Sequence, residues 1–218
     1  CRLVGVQGDA AQRGAVSQRS RARARTFAFA GGGAGLPEFT SLVGFGDSIT
    51  FGQAASDDAH RWLNIISTNR GGGTPLNQGI SGTVLQNSND SGGSPRVNNG
   101  RDRFVSALTG ANERAFAAII YGFNDARYIA APATFNVTQY RADLREVLNG
   151  LLTLGYTRQT IFLGAPYYIT DTGLNTGSAG FSGQTRIGFE EFVAAATEVA
   201  QEYGVWFSDV YAYMRDNG

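Results

Sequence analysis

Leu42-Val43-Gly44-Phe45 runs directly into Gly46-Asp47-Ser48-Ile49-Thr50, and this stretch decides the fold. The first four residues form a continuous apolar run, which is how a strand buried on both faces of a parallel sheet reads. Gly46 lets the chain leave that strand sharply. Asp47 and Ser48 then fall at its carboxyl end, the edge where open α/β sheets bind ligands. A serine held there aims its hydroxyl into a crevice, beside backbone N–H groups able to face an anion. The plainer alternative is that Asp47 and Ser48 only cap the turn that follows.

The chain around this stretch has 218 residues, with 18 basic and 18 acidic side chains, enough for one sizeable α/β core. Zero net charge argues against a nucleic-acid binder that works by bulk electrostatics. No apolar run approaches the ~20 residues of a membrane span. Cys1 is the only cysteine and His60 the only histidine, which excludes an internal disulfide and any Cys/His metal-ligand set. Neither a cofactor nor a metal is expected. Cys1 also fits the first residue of a mature lipoprotein, a motif with no upstream signal to support it.

Residues 1–37 differ from the remainder. Arg13, Arg19, Arg21, Arg23 and Arg25 stand among small polar residues, Gly31-Gly32-Gly33 follows, and no acid lies between Asp9 and Glu38. Such a segment reads either as a targeting or partner-binding arm or as a loosely attached tail without a fold. We take the tail reading and place the domain at 38–218.

Within the domain, strands and helices alternate. Strands are expected at about 40–46, 76–80, 115–121, 160–163 and 205–207. Asp57-Asp58 is expected to open a helix that carries Trp62, Leu63, Ile65 and Ile66 on its core face. Further helices are expected at 101–108, at 138–153 with a Tyr140, Leu144, Val147, Leu148, Leu151 stripe, and at 185–203. Residues 86–100 and 167–183 read as loops. This alternation implies βαβ units, a parallel sheet and right-handed crossovers.

Three strand ends then fall on one edge: Ser48 after the first strand, Gly82 after the second and Asn124 after the third. A nucleophilic serine needs donors for the oxyanion formed when it attacks an ester carbonyl. The Ser48 and Gly82 backbone N–H groups and the Asn124 side-chain amide are suited to this. Tyr121, Phe123, Tyr128, Tyr167 and Tyr168 cluster near strand ends and read either as the lining of an acyl or sugar pocket or as core packing. Asp125 reads as a helix cap or as an orienter of the Asn124 loop rather than as an acid catalyst.

These residues resemble the blocks of the GDSL, or SGNH, hydrolases. The first block is similar to Gly46-Asp47-Ser48-Ile49-Thr50, the second to Asn77-Gln78-Gly79-Ile80-Ser81-Gly82-Thr83, and the third to Gly122-Phe123-Asn124-Asp125, with Phe123 where glycine is common. The resemblance implies a three-layer α/β/α flavodoxin-like fold with a five-stranded parallel sheet in the order 2-1-3-4-5, lacking its last helix. It also implies hydrolysis of small-molecule carboxylic esters (short acyl or acetylated sugar esters) through an acyl-serine, in a secreted or periplasmic setting. Ser48 is the implied nucleophile, with Gly82 and Asn124 as oxyanion donors. The Gly-x-Ser-x-Gly elbow of the α/β-hydrolases is absent.

The family's last block, an Asp-x-x-His that supplies the catalytic base, does not follow the fifth strand. We expect the sequence to end before it. His60, twelve residues after Ser48, reads as a surface or cap histidine, with a stand-in base as the alternative. The rival function is a non-catalytic glycan- or acyl-binding module on a hydrolase scaffold. The oligomeric state is left open. Removing residues 1–37 is expected to leave the thermal unfolding midpoint unchanged, which differential scanning calorimetry of the shortened chain checks.

Overall fold

The computed structural model describes residues 37–217. The readings of Cys1 and of the Arg-rich segment fall on residues outside that range. Strand β1 (Leu42–Gly46) is buried along its whole length and sits inside a five-stranded sheet with β2 (Leu76–Gly79), β3 (Phe116–Ile120), β4 (Ile161–Gly164) and β5 (Trp206–Ser208). The strand order is β2-β1-β3-β4-β5 and every pairing is parallel. β1 pairs with β2 from Val43↔Leu76 to Gly46↔Gly79 and with β3 from Leu42↔Phe116 to Gly46↔Ile120.

That order fixes the layers. The chain steps from β1 outward to β2, then back across β1 to β3, and right-handed crossovers put those two connections on opposite faces. Helix α2 (Trp62–Asn69) covers one face. Helices α3 (Gly100–Leu108), α5 (Val137–Thr153) and α7 (Arg186–Tyr203) cover the other. The larger core lies on this second face, where Val43, Phe45, Ala117, Ile119, Ile161 and Leu163 meet the three helices. The stripe Tyr140, Leu144, Val147, Leu148, Leu151 on α5 is buried as its spacing requires. On the α2 face a smaller cluster holds Phe39, Leu42, Leu63 and Ala118, with Phe39 packed edge-on to Phe162 at 5.1 Å.

Short elements complete the chain: α1 (Ser48–Phe51), α4 (Phe123–Arg127), α6 (Asp171–Asn175) and α8 (Val210–Asn217). Helix α8 follows β5 and was not foreseen in the sequence. The loop expected at 86–100 is more buried than its polar composition implied, with Gln86, Ser88 and Asn99 inside.

The start of α2 also differs from expectation. Asp57 caps a separate 3-10 turn, Asp58–His60, and α2 begins only at Trp62 after an extended Arg61. Within α2, Leu63 enters the core at 0% exposure and Ile65 is 45% exposed. Ile65 is therefore not a core residue. In a helix of eight residues, positions two apart lie some 200° around the axis, so Leu63 and Ile65 cannot share a narrow buried stripe. Leu63→Ala is expected to cost about 2–5 kcal/mol and Ile65→Ala less than about 0.5 kcal/mol. Urea denaturation of the two variants measures both.

Candidate active site

Ser48 is half-buried and is the first residue of α1, directly after β1. Its neighbour Asp47 is the cap: Asp47 Oδ1 accepts from Ile49 N–H at 3.0 Å and from the Tyr167 hydroxyl at 2.8 Å. Helix α1 lies against β2, and glycine makes that approach possible, since a Cβ on Gly79 would come within 2.2 Å of the Phe51 nitrogen. Asn77 fixes the contact. Its Nδ2 donates to Thr50 O at 2.8 Å, and its Oδ1 accepts from Gly79 N–H at 2.9 Å.

Gly82 lies three residues past β2 in a left-handed conformation (φ +73°), and a Cβ there would meet nothing within 4 Å. Its backbone therefore borders open space. Asn124 stands in the first turn of α4, two residues past Gly122, whose φ of +115° turns the chain out of β3. The Asn124 side chain is buried and its Nδ2 donates to the Thr83 carbonyl at 2.8 Å. An amide nitrogen carries two hydrogens, so one remains for another acceptor. The structure thus joins the Asn124 arm to the Gly82-Thr83 arm by a hydrogen bond, and brings both to the edge on which Ser48 stands.

Asp125 supports this from beneath. Its two oxygens accept from Leu85 N–H at 3.0 Å each, and Oδ1 also accepts from Gln86 N–H at 2.9 Å. Asp143 on α5 accepts from Asn87 N–H at 2.8 Å. Asp125 thus orients the 83–87 segment, whereas the sequence pointed to a helix cap or an orienter of the Asn124 loop; α4 is capped at Gly122 without a side-chain bond. Desolvation by burial pushes the carboxyls of Asp47 and Asp125 up to about 6. Burial holds the Tyr167 phenol well above its usual range, so it remains a donor to Asp47. Asp47 Oδ2 is buried with no hydrogen-bond partner among the described residues.

The aromatic cluster divides. Phe123, Tyr167 and Tyr168 line an apolar cavity of about 540 Å³ on the α2 face, together with Ile49, Trp62 and Trp206. The cavity thus touches the residues next to Ser48 and Asn124. Tyr121 and Tyr128 belong to the packed interior, Tyr121 edge-on to Phe45 at 5.4 Å and Tyr128 against Phe135 at 4.3 Å.

No protein-family model and no curated protein matches the chain. Solved structures do. A lipase/acylhydrolase from Enterococcus faecalis superposes with a TM-score of 0.56 at 19% identity, covering 81% of this chain and 78% of that one. AlinE4, an SGNH-hydrolase family esterase, gives 0.55 at 16% identity over 84% and 82% of the two chains. The chain has the SGNH-hydrolase fold. A variant of an acetyl xylan esterase from Geobacillus stearothermophilus shares it too, with a TM-score of 0.54 at 20% identity, covering 83% of this chain and 81% of that one.

On this SGNH-hydrolase scaffold, the residues similar to the first three blocks stand at the ends of β1, β2 and β3. The lone histidine stands apart. His60 closes the 3-10 turn at Asp58–His60 with its side chain 67% exposed, and its Nδ1 lies 2.8 Å from Asp57 Oδ1. Asp57-Asp58-Ala59-His60 itself spells Asp-x-x-His, a local pairing within one exposed turn. No hydrogen bond joins it to Ser48 among the described residues. The sequence reading missed Tyr167 as the partner of Asp47 and the Thr83 carbonyl as the partner of Asn124. No local pattern announces either contact.

The two acids yield a pH dependence. A carboxyl raised from 3.8 to about 6 on folding binds more protons in the folded than in the unfolded state between those limits. Stability is then greatest below the unfolded value and is lost as pH rises through 6. Each group supplies at most about 3 kcal/mol of this change. Asp57, Asp102 and Asp216 shift downward instead and act below that window. The thermal midpoint is expected to be higher at pH 5 than at pH 7.5, and Asp47→Asn should remove a large part of the difference. A midpoint that climbs from pH 5 to 7.5 would count against the raised values.

Proposed function

We propose that this chain is a carboxylic ester hydrolase acting through an acyl-serine intermediate. One observation carries the reading: Ser48, Gly82 and Asn124 follow the ends of three adjacent parallel strands, with the latter two arms joined by the Asn124–Thr83 hydrogen bond. Under this reading Ser48 Oγ attacks the ester carbonyl. The Ser48 and Gly82 N–H groups and the second Asn124 Nδ2 hydrogen hold the oxyanion that forms. The C–O bond breaks, the alcohol departs with the proton lost by the serine, and water then releases the acid from the acyl-serine.

The ester class we assign is short acyl esters, including acetyl groups on sugars. The apolar cavity beside Ile49 and Phe123 supports an apolar group on one side of the scissile bond. The solved neighbours that share the fold bear the names lipase/acylhydrolase, SGNH-hydrolase family esterase and acetyl xylan esterase, in accord with this chemistry.

A second reading rests on His60. With the lone histidine of the described residues exposed and bonded to Asp57, Ser48 has no general base beside it there. A serine hydrolase without its base retains only roughly 10³–10⁴-fold acceleration over water. The same cleft would then serve a non-catalytic module that holds an acyl or glycan ligand.

A fluorophosphonate probe separates the two. Labelling at Ser48 that disappears in Ser48→Ala and slows roughly 10²-fold in Asn124→Ala is the expected outcome. A folded chain that resists the probe while binding an acetylated oligosaccharide would establish the binding module instead.

A further inference from the structure

The sheet's ladder stops just short of the site. β2 ends at Gly79 and β3 at Ile120, and Ile80 N–H to Gly46 O at 3.1 Å is the last backbone bond from the β2 arm to β1. Beyond it the arms that carry Ser48, Gly82 and Asn124 are tied in pairs, by Asn77 to Thr50 and by Asn124 to Thr83. One side chain reaches all three. Arg103, half-buried on α3, donates from Nη1 to Gln78 O at 2.9 Å and from Nη2 to Gly46 O at 3.0 Å and to the Tyr121 hydroxyl at 2.5 Å. Its guanidinium carbon lies 4.3 Å from the centre of the Phe45 ring.

The partners are placed tellingly. Gly46 is the last residue of β1 and precedes Ser48 by two. Gln78 lies in β2 and precedes Gly82 by four. Tyr121 is the first residue after β3 and precedes Asn124 by three. Gly46 O has two lone pairs, one used by Ile80 and one by Arg103.

We propose that Arg103 is the positioning residue that sets the mutual spacing of the three strand ends bearing Ser48, Gly82 and Asn124. A guanidinium suits the task because its donors form a rigid planar fork, so the acceptors take their spacing from it. A lysine offers one nitrogen on a flexible stem and cannot span three acceptors in the same way. All three acceptors are neutral oxygens, so the side chain works here through geometry rather than by pairing a charge. The activity arm of the test rests on the esterase reading. The exchange arm does not.

The experiment compares Arg103→Lys, Arg103→Met and, as a control on the same helix, Arg101→Met, which removes the ion pairs to Asp102 and Glu146 and touches none of the three strands. Fluorophosphonate labelling of Ser48 is expected to slow about 100-fold in both Arg103 variants, the scale of a misplacement near 1 Å, and to stay at the parent rate in Arg101→Met. Added methylguanidinium should restore much of the rate to Arg103→Ala, a rescue that lost packing alone would not show. Amide exchange by mass spectrometry should quicken together in 46–50, 79–83 and 121–125, with α5 unchanged. Should Arg103→Met fail to fold, the lysine variant and the rescued alanine variant decide.

Parent-like labelling and exchange in Arg103→Lys would overturn the proposal. So would exchange that quickens equally across α5, since that marks general loosening. If the parent chain itself resists the probe, the esterase reading falls and exchange in the three segments alone decides the role of Arg103.

Discussion

Strand β1 hydrogen-bonds in parallel to β2 on one side and to β3 on the other, and the rest of the molecule follows from that pairing. Parallel strands release their chains at the same edge, so three segments distant in sequence emerge side by side without further design. The reversal of strand order at β1 and β3 also opens the crevice where doubly wound sheets take ligands. Ser48 and Asn124 follow the two strands that flank it. Gly82 follows the neighbour on the far side of β1.

Keeping these ends in place requires polar groups in the interior, which are costly unless they are bonded. Asp125 meets the requirement by accepting from Leu85 and Gln86 N–H groups, and Asn124 by donating to Thr83. Asp47 is bonded through one oxygen only. Its burial beside the proposed nucleophile is thus held at the expense of stability near neutral pH. Such locally unfavourable groups concentrate where a site must be rigid. The same edge shows close backbone approach, with Gly79 set against α1.

Much of this was legible in the chain. The apolar runs at Leu42–Gly46 and Phe116–Ile120 announced buried strands, and Gly46 announced a sharp exit. The site residues could be named because each sits within a few residues of the end of an expected strand. The face of α2 was not legible to the same degree. Trp62, Leu63, Ile65 and Ile66 are all apolar; helix geometry sets Leu63 and Ile65 on different faces, and only the packing of α2 on the sheet decides that Leu63 is buried while Ile65 meets solvent. The tyrosines were equally ambiguous: Tyr167 borders the cavity and Tyr121 the core, although both follow strands.

By itself the sequence determined the alternation of strands and helices, the parallel sheet, and the edge to which Ser48, Gly82 and Asn124 belong. Those features rest on short-range rules: apolar periodicity, turn chemistry and the handedness of crossovers. Tertiary structure alone decided which groups hold that edge together. Tyr167 reaches Asp47 across 120 positions, Asp125 reaches Leu85 across 40, and Arg103 reaches Gly46 across 57. A hydrogen bond is fixed by distance and direction in space, to within a few tenths of an ångström. Contacts of that range come into being only when the sheet and its helices have packed.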